Sequence, residues 1–425
     1  MRKLLTTLCV FICIAARSQT LYFPPLVGNT WDTVAPSSLG WCTERIDSLY
    51  NYLEQQNSKA FIVLKDGKIA LEKYFGSFTQ DSLWYWASAG KTITSYLIGK
   101  AQEQGYLSIQ DTSSKYLGAG WTGCTRPQED SITIRHQLTM STGLNDGVPD
   151  NHCTLPSCLQ YLAPVASRWA YHNAPYTLLE KVITQATGQG INVYTQSALK
   201  TRTGITGLWA TVGYDNVYYS KPRSMARFGL FIQNKCIWNN DTLLHDSVYI
   251  HDMLNTSQQL NYAYGYLWWL NGKGSYMVPT SQVIIPGSYA PAAPADMFAA
   301  IGKNGQIVSI APSKGLVVVR MGDADEGEVP FLLCDNIWQR LNYVMCNSAP
   351  RNTYTFIGTG NWNNTLNWSN GLVPPAVLPA GDQIVIYPLL NGECVLNVNQ
   401  TISTGAGLFV VADKKLKVTG NLVVQ

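Results

Sequence analysis

Between residues 43 and 56 the chain places apolar side chains at helical spacing behind Thr43, a residue suited to cap a helix. Then the period changes. The segment AFIVLKDGKIALEKYFG (60–76) holds two apolar runs around Asp66-Gly67, which predicts a hairpin closed by a two-residue turn. Next, SLWYWASAGKTITSYLIGKAQEQG (82–105) passes from an aromatic, strand-like stretch into an amphipathic helix, and APYTLLEKVITQATG (174–188) reads as another helix. Late in this region QIVSIAPSKGLVVVRMG (306–322) supplies a second strand pair and FLLCDNIWQRLNYVM (331–345) a closing helix. Strands and helices at both ends of a helix-rich middle predict an α+β sheet interrupted by a helical insertion.

The pattern changes again past CNSAPRN (346–352). Only seven of the last 75 residues are charged, Asn, Thr, Gly and Val dominate, and runs such as DQIVIYPLL and GECVLNVNQTIS lie between Gly, Asn and Asp turns. This predicts an all-β accessory module over 351–425, whose opening TFIGTGNWNNTLNWSNGLVPP resembles that of small β-solenoid-like modules, with no long internal repeat in the sequence. The main domain occupies 19–350. Residues 1–18 have the layout of a cleaved export signal: Arg2 and Lys3, the apolar run LLTTLCVFICIA, then small Ala16 and Ser18. No later segment reaches the ~18 uninterrupted apolar residues of a membrane helix, so the expectation is a secreted or periplasmic protein without a membrane span.

Charge and cysteines narrow the partners. Three of the 30 basic residues and none of the 27 acidic ones fall in the signal, leaving 30 − 3 = 27 of each sign. A balanced chain without Lys/Arg clusters offers no attraction for nucleic acid or an anionic membrane. Of ten cysteines, Cys9 and Cys13 leave with the signal; the remaining eight favour disulfides over metal ligands, with buried free thiols as the alternative. Only NHCTLPSC (151–158) suggests a local pairing, Cys153 with Cys158 or one of them with Cys124.

Candidate chemistry starts at Ser88 and Lys91, one helical turn apart. A serine at a helix start offers its backbone amide to an oxyanion, and an amine one turn on faces the same side. Apolar residues on both sides of the pair, in WASAGKTITSYL, argue against a solvated face. To accept a proton near neutrality the amine must lose about 3 pK units, roughly 4 kcal/mol, and both burial and the positive helix end push that way. Spacing alone decides little: Ser-x-x-Lys recurs at Ser197 and Lys200, Tyr-x-Asn occurs at Tyr171/Asn173 and Tyr214/Asn216, and Lys-x-Gly at Lys303/Gly305 and Lys65/Gly67. Order and context favour one set: Ser88 at a helix start, Tyr171 in the turn before a helix, and Lys303 at the entry to a late strand.

In that order the three motifs resemble the serine β-lactamase and penicillin-binding-protein superfamily, most closely its class C β-lactamase, D-aminopeptidase and esterase branch. The resemblance spans roughly 45–345 and includes GYLSIQDTSSKYL, ITIRHQLTMSTGL and YAYGYLWWL. It implies an antiparallel sheet flanked by helices, with an inserted all-helical subdomain. It also implies an acyl-enzyme on Ser88, with Lys91 and Tyr171 sharing general-base and general-acid work. Asn173 would orient Lys91 and donate to a substrate carbonyl, Lys303 would supply a fixed positive charge beside Gly305, and Gln306 would lend a second oxyanion amide. His172 is read as structural. No metal or organic cofactor is implied; the partner is a small-molecule or peptide substrate with an ester or amide bond, a D-peptide or lactam included. Asn304 stands where that branch usually has Thr, which shifts the expectation from lactams toward esters and amides.

Other chemistries lack anchors. There is no Gly-x-Ser-x-Gly elbow, no His-Glu-x-x-His and no phosphate-binding glycine loop. The rival expectation is a hydrolase fold of weak or no activity that acts as a surface protein, its C-terminal module binding envelope or polysaccharide.

Overall fold

The computed structural model describes residues 21–425 except 326–328, 347–351, 370, 390–391 and 412, so the expected export signal lies outside the described residues. Helix α1 (Ile46–Gln55) leads into the hairpin of β1 (Ser58–Lys65) and β2 (Lys68–Tyr74). Asp66 and Gly67 have φ of +48° and +85°, the paired left-handed residues that let a two-residue turn follow the strand twist. Strand β3 (Trp84–Tyr85) then joins β4 (Leu208–Val212) and β5 (Asp215–Ser220) in a small antiparallel sheet, ordered β3-β5-β4. The segment between these strands is helical, chiefly α2 (Lys91–Glu103) and α3 (Asn173–Thr187), so the insertion is built of helices around one small sheet.

The chain returns to the main sheet through α4 (Pro222–Gln233), β6 (Trp269–Leu270), β7 (Phe298–Gly302), β8 (Gln306–Ala311) and β9 (Leu316–Gly322), and closes with α5 (Phe331–Val344). The sheet is antiparallel throughout, in the order β2-β1-β9-β8-β7-β6. First and last strands in sequence thus pair at its centre, with Ile62 opposite Val319. Ala60 to Leu64 are wholly buried on successive, opposite-pointing positions, so both faces of β1 are covered. Helix α4 crosses β1, β8 and β9, and Gly229 permits the approach: a Cβ there would meet the Val317 and Val308 side chains. Helices α1 and α5 pack on each other, and Cys42–Cys346 joins the chain ahead of α1 to the chain after α5.

Cys153–Cys158 is the second disulfide, one of the local pairings the sequence left open. Cys124, Cys236, Cys334 and Cys394 form no disulfide among the described residues, and the last three are buried as small apolar residues are.

Beyond residue 351 every sheet is parallel. Three three-stranded sheets are visited in turn: Thr353–Phe356 with Gln383–Ile386 and Gly407–Val410, Gly360–Asn361 with Glu393–Leu396 and Lys415–Val418, Val377–Leu378 with Gln400–Ile402 and Leu422–Val424. This is a three-sided coil of three rungs around Phe356, Trp362, Trp368, Ile384, Ile386 and Leu396. The last two rungs are offset by 22 to 24 residues (383 to 407, 393 to 415, 400 to 422). That structural repeat leaves no sequence repeat, because each rung needs only inward apolar positions between turns.

Candidate active site

Strand β3 delivers the chain to a single 3-10 turn, Ala87–Gly90, and the α-helix proper begins at Lys91, so Ser88 stands one turn ahead of α2. Ala87 has φ of +45°, a left-handed conformation that costs an L-residue roughly 1–2 kcal/mol. The surroundings hold it there: the Trp86 amide donates to Tyr218 O (2.8 Å) and its indole N–H to Ser220 Oγ (2.8 Å), both on β5. On the other side lies the end of β7. A Cβ on Gly302 would come within 2.9 Å of the Ser88 nitrogen and 2.8 Å of the Ala89 nitrogen, so only glycine lets this strand abut the turn.

Lys91 is 4% exposed. Its Nζ donates to Ser88 Oγ and to Asn173 Oδ1, both at 2.8 Å, and lies 4.3 Å and 5.1 Å from the ring centres of Tyr176 and Tyr171. Both acceptors are neutral, and with a neutral amine the 2.8 Å contact to Ser88 runs in reverse, the hydroxyl donating to Nζ. Asn173 opens α3 and is itself held: Nδ2 donates to Asn151 Oδ1 (3.1 Å) and stands 3.2 Å from His152 Nε2. His152 Nδ1 is 2.7 Å from Asp215 Oδ2, and Thr177 Oγ1 donates to Asp215 Oδ1 (3.3 Å). Burial opposes charge on Asp215 most strongly, yet the His152 contact, with Thr177 beside it, holds its carboxyl below the ordinary value.

These groups meet at a cavity of about 480 Å³, lined by Ser88, Lys91, Asn173 and Lys303 with a wall of Tyr85, Tyr176 and Tyr219. Burial drives the Tyr176 phenol well above its usual pKa, which makes it a neutral wall. Lys303 is exposed at the start of the turn between β7 and β8. Arg320 fixes that turn from below: fully buried, it donates through Nη1 to Asn304 O (2.6 Å) and Gly305 O (2.9 Å) and through Nε to Ser58 Oγ (3.0 Å). Asn304, with φ of +62°, ties the turn to the cavity wall by donating from Nδ2 to Tyr85 OH (2.7 Å) and Asp323 Oδ1 (2.9 Å).

Of the seven residues singled out from sequence, the structure gathers Ser88, Lys91, Asn173 and Lys303 around one cavity. Tyr171 sits directly behind them, 2% exposed, stacked on Trp269 and edge-on to Tyr264, its ring beside the Lys91 amine. Gly305 and Gln306 need correction. A side chain on Gly305 would run into Arg320 and Leu333, away from the cavity. Gln306 is completely buried on β8, paired with Gly302, and its side chain bridges Gly322 O (2.6 Å) and Gly322 N (3.1 Å). The glycine packed against the Ser88 turn is Gly302, three positions earlier, and the residue that follows it is Lys303. The loop between β7 and β8 spans only three residues, so the Lys-x-Gly spacing matched the turn rather than the strand.

Sequence reasoning also passed over Asp215 and Asn216, which line the cavity from the Tyr-x-Asn copy treated as a chance match, and His152, which precedes Cys153 in a loop read only for its disulfide pairing. The other spare copies are accounted for: Lys65 ends β1 and Gly67 is the second residue of the hairpin turn, and Lys200 Nζ donates to Gly207 O (2.7 Å). His172 is buried, with both ring nitrogens lacking a protein partner, and burial pulls its pKa down to about 4. Among the described residues no group of three or more His, Cys, Asp or Glu side chains is placed to hold a metal, and no helix is long and apolar enough to cross a membrane.

Known proteins are similar to this chain. A family model described as Beta-lactamase matches residues 51–334. An uncharacterized protein of Alkalihalophilus pseudofirmus is 24% identical over 295 residues, covering 61% of this chain and 81% of that one. Among solved structures, one described as "Putative 6-aminohexanoate-dimer hydrolase from Bacillus anthracis" superposes with a TM-score of 0.57 at 16% identity, covering 77% of this chain and 91% of that one. The octameric penicillin-binding protein homologue from Pyrococcus abyssi gives 0.53 at 16% identity, covering 72% and 78%. At such identities the two structures speak to the fold alone.

Proposed function

The chain belongs to the Beta-lactamase family of serine hydrolases, and from that premise we propose that it cleaves an ester or amide bond through an acyl-enzyme on Ser88. One observation carries the reading: the Lys91 amine, nearly sealed from water, touches Ser88 Oγ and Asn173 Oδ1 at 2.8 Å each on the floor of a cavity. As Ser88 Oγ bonds to the substrate carbonyl carbon, its proton passes to neutral Lys91, and the carbonyl electrons move onto oxygen. That oxyanion is stabilised by the Ser88 amide and by the backbone amide after Gly302, that of Lys303, in place of Gln306. Collapse breaks the bond to the leaving group, which takes the proton from the Lys91 and Tyr171 pair; water then repeats the sequence on the acyl-enzyme. Asn173 and the exposed Lys303 cation hold the substrate.

The ester and amide preference draws support from Ile301, which precedes Gly302 and carries no hydroxyl to offer the cavity. Two disulfides support export to an oxidising compartment. The test is labelling with a fluorophosphonate probe, followed by hydrolysis of p-nitrophenyl esters, nitrocefin and D-alanyl peptides. We expect probe mass on the Ser88 peptide, none on Ser88→Ala, and faster turnover of esters than of nitrocefin. Equal labelling of both proteins would refute the nucleophile.

A further inference from the structure

The cavity holds a second, unlooked-for pair: His152, from the loop closed by Cys153–Cys158, and Asp215, at the start of β5. We propose that Asp215 and His152 are positioning residues that fix which end of the Asn173 amide faces Lys91, so that protonation of His152 disarms the site. The proposal rests on the reading of Ser88 as nucleophile and Lys91 as its base.

Proton accounting leads to it. An amide can present either its oxygen or its NH₂ to a neighbour, and Lys91, its lone pair taken by the Ser88 hydroxyl, can use only the oxygen. Asp215 Oδ2, an acceptor only, makes a 2.7 Å ion-pair contact with His152 Nδ1 that falls short of a straight hydrogen bond, and its charge favours the imidazole proton on Nδ1. That leaves Nε2 as a lone pair, 3.2 Å from Asn173 Nδ2. Nδ2 has two hydrogens and meets two acceptors, His152 Nε2 and Asn151 Oδ1, while Oδ1 accepts from Lys91. Each contact along Ser88, Lys91, Asn173, His152 and Asp215 then pairs one donor with one acceptor, all running in one direction. Protonated His152 would carry a hydrogen on Nε2 facing the hydrogens of Nδ2. The amide relieves that clash by turning over, which sets its NH₂ against the Lys91 amine.

The charged groups around His152 are Asp215 on β5, Lys91 on α2, and, along the adjoining cavity of about 460 Å³, Asp146, Asp150 and Arg168, of which Arg168 and Asp146 pair at 2.7 Å. His172 is the nearby titrating ring on the α3 side. Asp215 is the one of these placed on Nδ1, and its carboxyl stays ionised below the ordinary carboxylate range.

The test is ester hydrolysis by the full chain across pH 4 to 9, comparing His152→Ala, His152→Gln and Asp215→Asn, with melting temperatures taken alongside. Gln supplies an acceptor near the Nε2 position that does not titrate. We expect His152→Ala to lower kcat at least about 10-fold with KM within about 3-fold, and His152→Gln to recover most of that loss at pH 8. The acid limb of log kcat, set by both His152 and Lys91, should flatten from a slope near 2 to a slope near 1 in His152→Gln. Folded His152→Ala within 2-fold of wild type, or His152→Gln no better than His152→Ala, overturns the proposal. Should both His152 variants fail to fold, Asp215→Asn decides: a kcat loss of about 5-fold or more at unchanged melting temperature supports it, and a change under 2-fold overturns it. Fluorophosphonate capture by Ser88 separates the two levels. Capture with no His152 or Asp215 effect refutes only the positioning pair, whereas absence of capture and turnover in wild type removes the underlying hydrolase reading and the pair with it.

Discussion

The hydrolase domain and the C-terminal coil draw on the same alternation of apolar and polar residues, yet they bury it in opposite ways. In the hydrolase domain all seven residues of β9 are buried, because helices cover the sheet, and the enclosure is thick enough to hold Arg320 with no exposure and Lys91 with almost none. In the coil only inward positions of the inner rungs disappear, Ile384, Ile386 and Leu396 among them, while Phe409 and Val424 of the last rung stay 52% and 70% exposed. Its buried polar groups, such as Asp382 accepting from the Asn352 amide, hold turns. A coil stabilises each rung through its neighbours alone; a layered domain can exclude water from a charged pair and change what that pair does. Chemistry therefore belongs with the layers.

Perturbing each region should leave the other unmoved. The largest effect is expected from Gly302→Val, which places a branched carbon against the Ser88 and Ala89 amides: ester turnover should fall at least about 100-fold, with the coil's melting step unchanged in calorimetry. Next comes Trp362→Ala, which empties the centre of the coil and should destabilise it by about 3–5 kcal/mol in a urea titration without altering kcat.

Acid should act on the hydrolase domain alone. His172 is neutral when buried, with a pKa of about 4, against about 6.5 in the unfolded chain. Between those values the unfolded state binds the extra proton, so this contribution is fully present above about pH 6.5 and is lost as pH falls toward 4. It amounts to at most about 3 kcal/mol, and denaturant midpoints at pH 7 and pH 4.5 would reveal it in wild type and not in His172→Phe. The smallest effect is reserved for removal of residues 352–425, which should leave turnover of a small ester within about 2-fold; a larger loss would erase the separation between the two regions.

What could be read in advance follows the range of the interactions. The Asp66-Gly67 hairpin, the Ser88/Lys91 pair and the Asn173 helix start are local, written in spacing and turn chemistry. The glycine beside Ser88 is not. Gly302 is distinguished from Gly305 only by what lies across from it, the Ser88 turn in one case and Arg320 in the other. Asp215 escaped for a similar reason: its role is created by a histidine 63 positions earlier in sequence (215 − 152), brought near by a loop whose disulfide was only one pairing among several. The helix predicted to start at Ser88 starts at Lys91 because Trp86 is anchored to β5 and forces a tight turn first, an influence that helical periodicity does not register.

Cys42–Cys346 spans 304 positions and ties the two ends of the hydrolase domain to each other. Tension applied between the N-terminal residues and the coil would run through that covalent link and bypass the whole stretch between, which would bear no load. Pulled in an optical trap, the oxidised protein should release only the length of its flanks and keep hydrolysing; reduced, it should lengthen by the full catalytic domain and stop.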